Sequence, residues 1–553
     1  MIIYDVRVKV RDGTEISCDI YYPDKQSNTP VILFRTPYGK GSDSVMETAT
    51  HFSSKGFIFV SCDVRGRGDS DGKFIPYFNE GADGYDLVEW ASCINGCDGN
   101  VFTYGASYSA RIQWLTAKTR PPHLRGMIGI VSPSDPFVED PTGYPSPMTV
   151  SWLFSISGRV MQNTKYVAWD KIYRHLPLID MDKSTGREIP FWKEYFLNSP
   201  ASKFWEPLFY QRNFNDIDVP VMHISGWYDD EQIGAIINYT GMRSSSASQF
   251  SRDNQAIIMG PWPHNVNSST KLGQIDFGPG SKIDLIGEEI TWIRSVLSKT
   301  SQRSARGRIF LMGPNRWVNI SDWPVEGSRE EKFFLQSNHN ANGPRSAGKL
   351  SPYEPDYFQS SDDFTYDPGD PVPFITEPTF SQIGGPDDYS EVEKRPDVLF
   401  YSTDQLSKEI NLVGSVKAKI FVSSTAPDTD FTAKLVQIWP NGFAQRLVDG
   451  IVRIKYRNGM ESEEYISPND VVELSIDMWN TAVSIPPSHR IGLEISSSAF
   501  PKYSRNQNLR GNQSLTDKYV TANQRVYHGK KYPSCLILTV APDILKEKQC
   551  ADN

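Results

Sequence analysis

Cysteine is scarce: six in 553 residues, too few for the disulfide framework that staples small secreted domains. Cys93 and Cys97 are near enough in sequence to pair, but reduced thiols are the expected state. With only eight histidines, few of them near a cysteine, no zinc site is expected, and no cofactor motif stands out. Positive charge is also in deficit. Against 66 acidic residues there are 57 Lys and Arg, a net charge of -9, which argues against nucleic acid or an anionic membrane surface as partner. No apolar run reaches the roughly 20 residues that a membrane span needs. Met1 runs straight into the alternating stretch Ile2 to Val10 with no signal-type segment before it, so a cytoplasmic location is expected. Fixed-period repeats and low-complexity tracts are missing as well. The chain does have 39% hydrophobic and 12% aromatic residues, ample for sizeable cores. Its length implies about three domains. The oligomeric state is left open, a homo-oligomer included.

The first third alternates short apolar runs with helical stripes. A hairpin turns at Arg11-Asp12-Gly13-Thr14, and Val31-Ile32-Leu33-Phe34 reads as a strand buried on both faces. A helix over Val45 to Ser54, a strand at Phe57 to Asp63, a helix carrying Tyr85, Val88, Trp90 and Ile94, and a strand at Met127 to Val131 follow. This is the pattern of a parallel α/β sheet. From about Pro136 to Asp216 strand signals lapse and aromatics crowd in at helical spacing, which predicts an inserted helical cap. Most of these aromatics should form the cap's own core. Some should face the substrate as an apolar wall, with Trp152 and Trp169 as candidates. Strands resume at Val219 to Ser225, Ala256 to Met259 and Arg308 to Met312, with a helix at Gly287 to Ser298.

Past about residue 330 period-two alternation takes over, as in Val416, Ala418, Ile420 and Val422, in Leu474, Ile476 and Met478, and in Ile491, Leu493 and Ile495. This predicts an antiparallel sandwich of jelly-roll type. The segment from Ser337 to Asp363 is polar and reads as loop-rich. The expected organisation is therefore an α/β-hydrolase core in two parts, residues 1–135 and 217–329, a helical cap over 136–216, and a β-sandwich over 330–553.

One stretch organises the chemistry. Val101 to Tyr104 reads as strand and Arg111 to Lys118 as helix, and between them small residues crowd around one serine, Gly105-Ala106-Ser107-Tyr108-Ser109. A nucleophile on a sharp strand-to-helix turn needs such neighbours, because the turn strains its backbone. In this architecture the orienting acid and the base follow later, in the order Ser, Asp, His. Asp229 in Gly226-Trp227-Tyr228-Asp229 and His264 in Gly260-Pro261-Trp262-Pro263-His264 each follow a strand, and strand C-termini are where open α/β sheets place their sites. Among the eight histidines only His264 occupies such a position. The backbone N–H of Tyr108 is one expected oxyanion donor, and Tyr38, in the loop after an early strand, is the available hydroxyl for the other.

With these residues in hand the chain resembles the cocaine esterase / X-Pro dipeptidyl peptidase-like serine hydrolases, which include the α-amino-acid ester hydrolases. The resemblance spans nearly the whole length. It rests on Arg35-Thr36-Pro37-Tyr38, Asp63-Val64-Arg65-Gly66-Arg67-Gly68, Gly105-Ala106-Ser107-Tyr108, the Asp229 and His264 segments, Tyr366 to Pro373, and Asp428-Thr429-Asp430-Phe431. It implies an α/β-hydrolase core, a cap and a jelly roll, with the Tyr38 hydroxyl and the Tyr108 N–H as the oxyanion hole. Two departures stand out. Ala110 replaces the family's usual glycine three residues after the serine. Glu231, preceded by Asp230 and followed by the neutral Gln232, partly matches the acidic cluster with which α-amino-acid ester hydrolases grip a substrate ammonium; a pair of solvated carboxylates is the competing reading.

The expected function is thus ester or amide cleavage through a Ser107 acyl-enzyme, with a small-molecule substrate whose acyl group is α-amino or small and aromatic. Acyl transfer and X-Pro-type peptidase action use the same residues. A carbohydrate-binding protein with an inert core is the reading from another class.

Overall fold

The computed structural model describes residues 1–24, 28–299, 306–343, 346–380 and 383–542. Cys550 lies outside them. A ten-stranded sheet forms the first half of the molecule. Its leading strands are β1 (Ile2–Lys9), β2 (Glu15–Tyr21), β3 (Thr29–Thr36), β4 (Ile58–Asp63), β5 (Cys97–Ala106), β6 (Leu124–Ile130), β7 (Val221–Gly226) and β8 (Ala256–Gly260). The spatial order is β1-β2-β4-β3-β5-β6-β7-β8, then Gly307–Leu311 and Arg316–Ile320. From β4 to Gly307–Leu311 every pairing is parallel, while both edges are antiparallel hairpins. The edge strand Arg316–Ile320 had no counterpart in the periodicity.

Both faces of this sheet are buried, which explains the unbroken apolar runs. Along β3, Val31 and Leu33 join the core on one side and Ile32 the core on the other. In β4, Ile58 and Val60 likewise part from Phe59. Each such aliphatic side chain contributes about 1.5–3 kcal/mol on full burial. Helices α1 (Asp43–Ser54), α2 (Glu80–Ser92) and α3 (Tyr108–Ala117) cover the sheet, and all ten residues of α3 are buried. Cys18 and Cys62 sit opposite each other in the β2–β4 ladder with Cα atoms 4.2 Å apart and are disulfide-bonded, whereas Cys93, Cys97 and Cys535 are free. This corrects the expectation of reduced thiols throughout. The pairing joins residues 44 apart in sequence, a neighbourhood that only the strand register creates.

The segment between β6 and β7 is helical but in short pieces: helices Thr149–Ser155, Trp169–Tyr173 and Glu194–Leu197, and 3-10 turns Leu178–Thr185, Lys203–Leu208 and Gln211–Asp216. Its aromatics do not form a private core. Trp169, Trp192 and Phe196 pack with Phe374, Tyr389 and Phe500 of the C-terminal half, and Trp205, Phe209 and Tyr210 with the hydrolase sheet.

The C-terminal half is an eleven-stranded, mostly antiparallel assembly; Gly348–Ser351 and Leu399–Ser402 pair in parallel. Burial alternates along Val416 to Val422 and Leu474 to Met478, as the sequence predicts. In Arg490–Ser496 it does not, because Glu494 is buried as well, paired with Lys434 at 2.6 Å. Among the described residues no helix is long and apolar enough to cross a membrane.

Candidate active site

The turn from β5 to α3 has the strained geometry anticipated for it. Ser107 adopts φ 58° and ψ -124°, a region costly for any residue with a side chain. Its N–H donates to Ile130 O at 2.9 Å, and its carbonyl accepts from the N–H groups of Ala110 and Arg111. Gly105 has no room for a methyl: a Cβ there would lie 2.5 Å from Ser109 Cβ. Ala110, in contrast, is accommodated, because a Cβ placed on the facing Gly129 would still be 4.0 Å from its methyl.

Tyr108 opens α3, where backbone N–H groups lack helical acceptors. Its side chain turns away from Ser107 to donate to Glu80 Oε1 at 2.8 Å, and it stacks on Tyr77 with centroids 4.4 Å apart. Tyr38 approaches Ser107 from the loop after β3. Its hydroxyl accepts from Trp152 Nε1–H at 3.0 Å and shares the cavity wall with Ser107. Buried Arg67 fastens this loop to the cap by donating to Pro37 O at 2.7 Å and Ile156 O at 2.8 Å, which accounts for one arginine of the Asp63–Gly68 segment.

Asp229 and His264 follow adjacent parallel strands. Gly226 is required where they meet, since a Cβ there would sit 2.0 Å from Trp262 O. His264 Nδ1 is 2.9 Å from Asp229 Oδ1, which also accepts from Glu231 N–H at 3.1 Å; Ser225 Oγ donates to Asp229 Oδ2 at 2.6 Å. The C-terminal half braces this loop from behind. Gln232 exchanges hydrogen bonds with the backbone of Asn480, and Gln445 Nε2 donates to the Tyr228 hydroxyl. His223, another of the eight histidines, is buried in β7 against Gln255, and burial pulls it down to about 4.

Ser107, Tyr38, Trp152, Asp230, Glu231 and His264 line one cavity of about 1140 Å³. Two further acids reach it from the loop after β6, Glu139 and Asp140, which the sequence reading passed over. Burial pushes each of them up to about 7. Burial likewise raises Asp230, whose Oδ1 is 3.6 Å from His264 Nδ1, and lifts Glu231 well above the ordinary carboxylate range. Asp230 Oδ1 and Glu231 Oε2 are buried without a hydrogen-bond partner. They are therefore not the solvated pair that was the competing reading. At His264, burial works against the imidazolium, but Asp230, Asp229 and Glu231 outweigh it and hold the ring above the ordinary histidine range. Asp229, Asp230 and His264 also have the spacing of a metal-binding triple, but both oxygens of Asp229 are already engaged. Trp169 is a correction. It is buried in the cap, donates to Thr164 O at 2.9 Å and packs on Phe154 and Tyr173, away from the cavity.

A strained serine on a strand-to-helix turn, an Asp–His pair at the ends of neighbouring parallel strands and a shared deep cavity define a serine hydrolase of α/β-hydrolase fold. Residues 12–266 match the profile of the X-Pro dipeptidyl-peptidase (S15) family, and residues 299–537 that of the X-Pro dipeptidyl-peptidase C-terminal non-catalytic domain. The chain belongs to this family of serine hydrolases, which act on esters and amides. It is 29% identical to the cocaine esterase of Rhodococcus sp. (strain MB1 Bresler), over 97% of this chain and 98% of that protein. Two solved structures superpose with TM-scores of 0.85. One is an aminopeptidase from a marine sediment Thaumarchaeota archaeon, 23% identical over 98% of this chain and 97% of that one. The other is an α-amino acid ester hydrolase, 22% identical over 98% and 96% of the two chains.

Proposed function

We propose that the protein cleaves esters or amides of α-amino acyl groups through a Ser107 acyl-enzyme. His264 accepts the Ser107 proton as the oxygen attacks the carbonyl carbon, and Asp229 holds the ring so that Nδ1–H points at Oδ1 and Nε2 carries the lone pair. The carbonyl oxygen, now an oxyanion, is met by the Tyr38 hydroxyl and the Tyr108 N–H. His264 returns the proton to the leaving alcohol or amine, and water repeats the sequence on the acyl-enzyme. The 2.9 Å His264–Asp229 contact, on the cavity that also holds Ser107 and Tyr38, supports this assignment most directly.

The narrower claim, an α-ammonium on the acyl group, is carried by Glu231. It is a buried carboxylate with an unpartnered oxygen on the cavity wall, among Glu139, Asp140 and Asp230. A cation seated there satisfies that oxygen and stabilises the ionised cluster. It also offsets the negative charge that holds the proton on His264. Acyl transfer to an amine or alcohol, and release of an N-terminal dipeptide, would run on the same groups. We read residues 136–216 as the cap and 330–553 as a jelly roll that walls the cavity and braces the Asp229 loop.

The test compares phenylalanine methyl ester with methyl 3-phenylpropionate, which lacks only the amino group. The amino ester is expected to be preferred in kcat/KM by about tenfold or more, the factor that a charged hydrogen bond carries, and Glu231→Gln is expected to shrink that preference. Equal rates for the pair would remove the ammonium claim.

A further inference from the structure

Six arginines among the described residues are buried: Arg35, Arg67, Arg111, Arg446, Arg453 and Arg505. Five have acceptors. Arg35 pairs with Glu80, Arg446 with Asp449 and Arg453 with Asp430, while Arg67 and Arg505 donate to backbone carbonyls. Arg111 is the exception. It is 9% exposed, its Nε and Nη2 are buried without a hydrogen-bond partner, and among the described residues no carboxylate oxygen lies within 4.0 Å of it. A guanidinium remains charged at any physiological pH, and a buried charge without a partner is costly.

Arg111 lines the same cavity as Ser107, and it sits four residues further along α3, a rise of about 6 Å. Its Cζ lies 4.6 Å from the centroid of the Tyr77 ring, which stacks in turn on Tyr108 and Trp152. The guanidinium is therefore held against an aromatic wall whose far member, Trp152, bonds to the Tyr38 hydroxyl, and we place the acyl part of a substrate on this side. Asp135 and Glu139 favour its charge only from a distance, and neither pairs with it directly. Asp135 spends its oxygens on the N–H groups of Tyr210 and Gln211, and Glu139 Oε1 accepts from Ser134 N–H. Burial also pushes the Glu139 carboxyl up toward neutrality.

We propose that Arg111 is a specificity residue that binds a carboxylate carried by the acyl portion of the substrate, about one helical turn from the carbon Ser107 attacks. With an ammonium on the Glu231 side the acyl group would be zwitterionic, as in an aspartyl or glutamyl unit. The Arg111 inference rests on Ser107 as nucleophile but not on the ammonium claim.

The test is binding to full-length Ser107→Ala protein by titration calorimetry, with ethyl hydrogen glutarate and ethyl pentanoate as probes. The two esters are of similar length and differ in the terminal carboxylate. Glutarate is expected to bind at least about tenfold more tightly, and adding Arg111→Met is expected to bring the two Kd values together. Equal Kd values in the Ser107→Ala protein would overturn the proposal, as would a glutarate preference that survives Arg111→Met. If Arg111→Met does not fold, the first comparison stands alone and decides. Should Ser107→Ala still hydrolyse the esters, steady heat of turnover would expose the failure of the nucleophile assignment, separately from the ratio of affinities.

Discussion

Replacing Tyr38 with Phe removes one oxygen and tests how the oxyanion hole is built. The indole N–H of Trp152 can only donate, so its 3.0 Å contact with the Tyr38 hydroxyl uses the phenol oxygen as acceptor. The phenol proton is then free for the neighbouring Ser107 side chain. Burial raises the Tyr38 phenol to about 12, so it stays protonated and able to donate at neutral pH. Loss of one oxyanion donor costs about 10²–10³ in kcat, roughly 2.7–4 kcal/mol of transition-state stabilisation. Trp152 Nε1–H loses its partner in the same step, so the melting temperature should fall slightly, in line with about 1 kcal/mol for a net hydrogen bond. Steady-state kinetics on the best ester should show the loss in kcat with little change in KM, because the donor acts on charge that develops after binding. A folded Tyr38→Phe enzyme with kcat within about fivefold of the parent would refute this assignment.

Two other perturbations follow from the geometry. Gly105→Ala drives a methyl to 2.5 Å from Ser109 Cβ and 3.0 Å from Ser109 O; a loss of about 1–3 kcal/mol is expected, seen as a lower melting temperature with activity lost, and an unchanged melt and rate would show slack at the turn. The carboxylates around His264 raise its pKa, while the base must be neutral to act. Hydrolysis of an ester without an ammonium should therefore climb with pH and level off only above the ordinary histidine value of about 6.5. Asp230→Asn should move this acid limb of the kcat/KM profile downward, and a limb at the ordinary value that the substitution leaves in place would contradict the electrostatic picture.

What could be read from the chain was whatever local pattern encodes. Ser107, Asp229 and His264 each follow a strand whose apolar run is unmistakable, and parallel strands bring their C-terminal ends to one edge by construction. Long-range proximity was not so encoded. Cys18 meets Cys62 only through the β2–β4 register, whereas Cys93 and Cys97 attracted notice merely by being close in sequence. Trp152 and Trp169 look alike in the aromatic-rich cap, yet one bonds to Tyr38 and the other faces the C-terminal core. Helical spacing marks which residues share a face but not what that face meets, and the cap's short 3-10 pieces weaken even that signal. Glu139, Asp140 and Arg111 had a usable cue. The two acids follow β6 as Asp229 follows β7, and Arg111 lies one turn beyond the nucleophile. That Arg111 Nε and Nη2 lack partners is a property of packing alone.

The most direct measurement is the mass of the protein after reaction with a fluorophosphonate, followed by peptide mapping. A single adduct on the peptide that contains Ser107, formed as ester hydrolysis disappears and absent from Ser107→Ala, is the predicted result. An adduct on another residue, or full hydrolysis by protein whose Ser107 is blocked or replaced, would contradict the account.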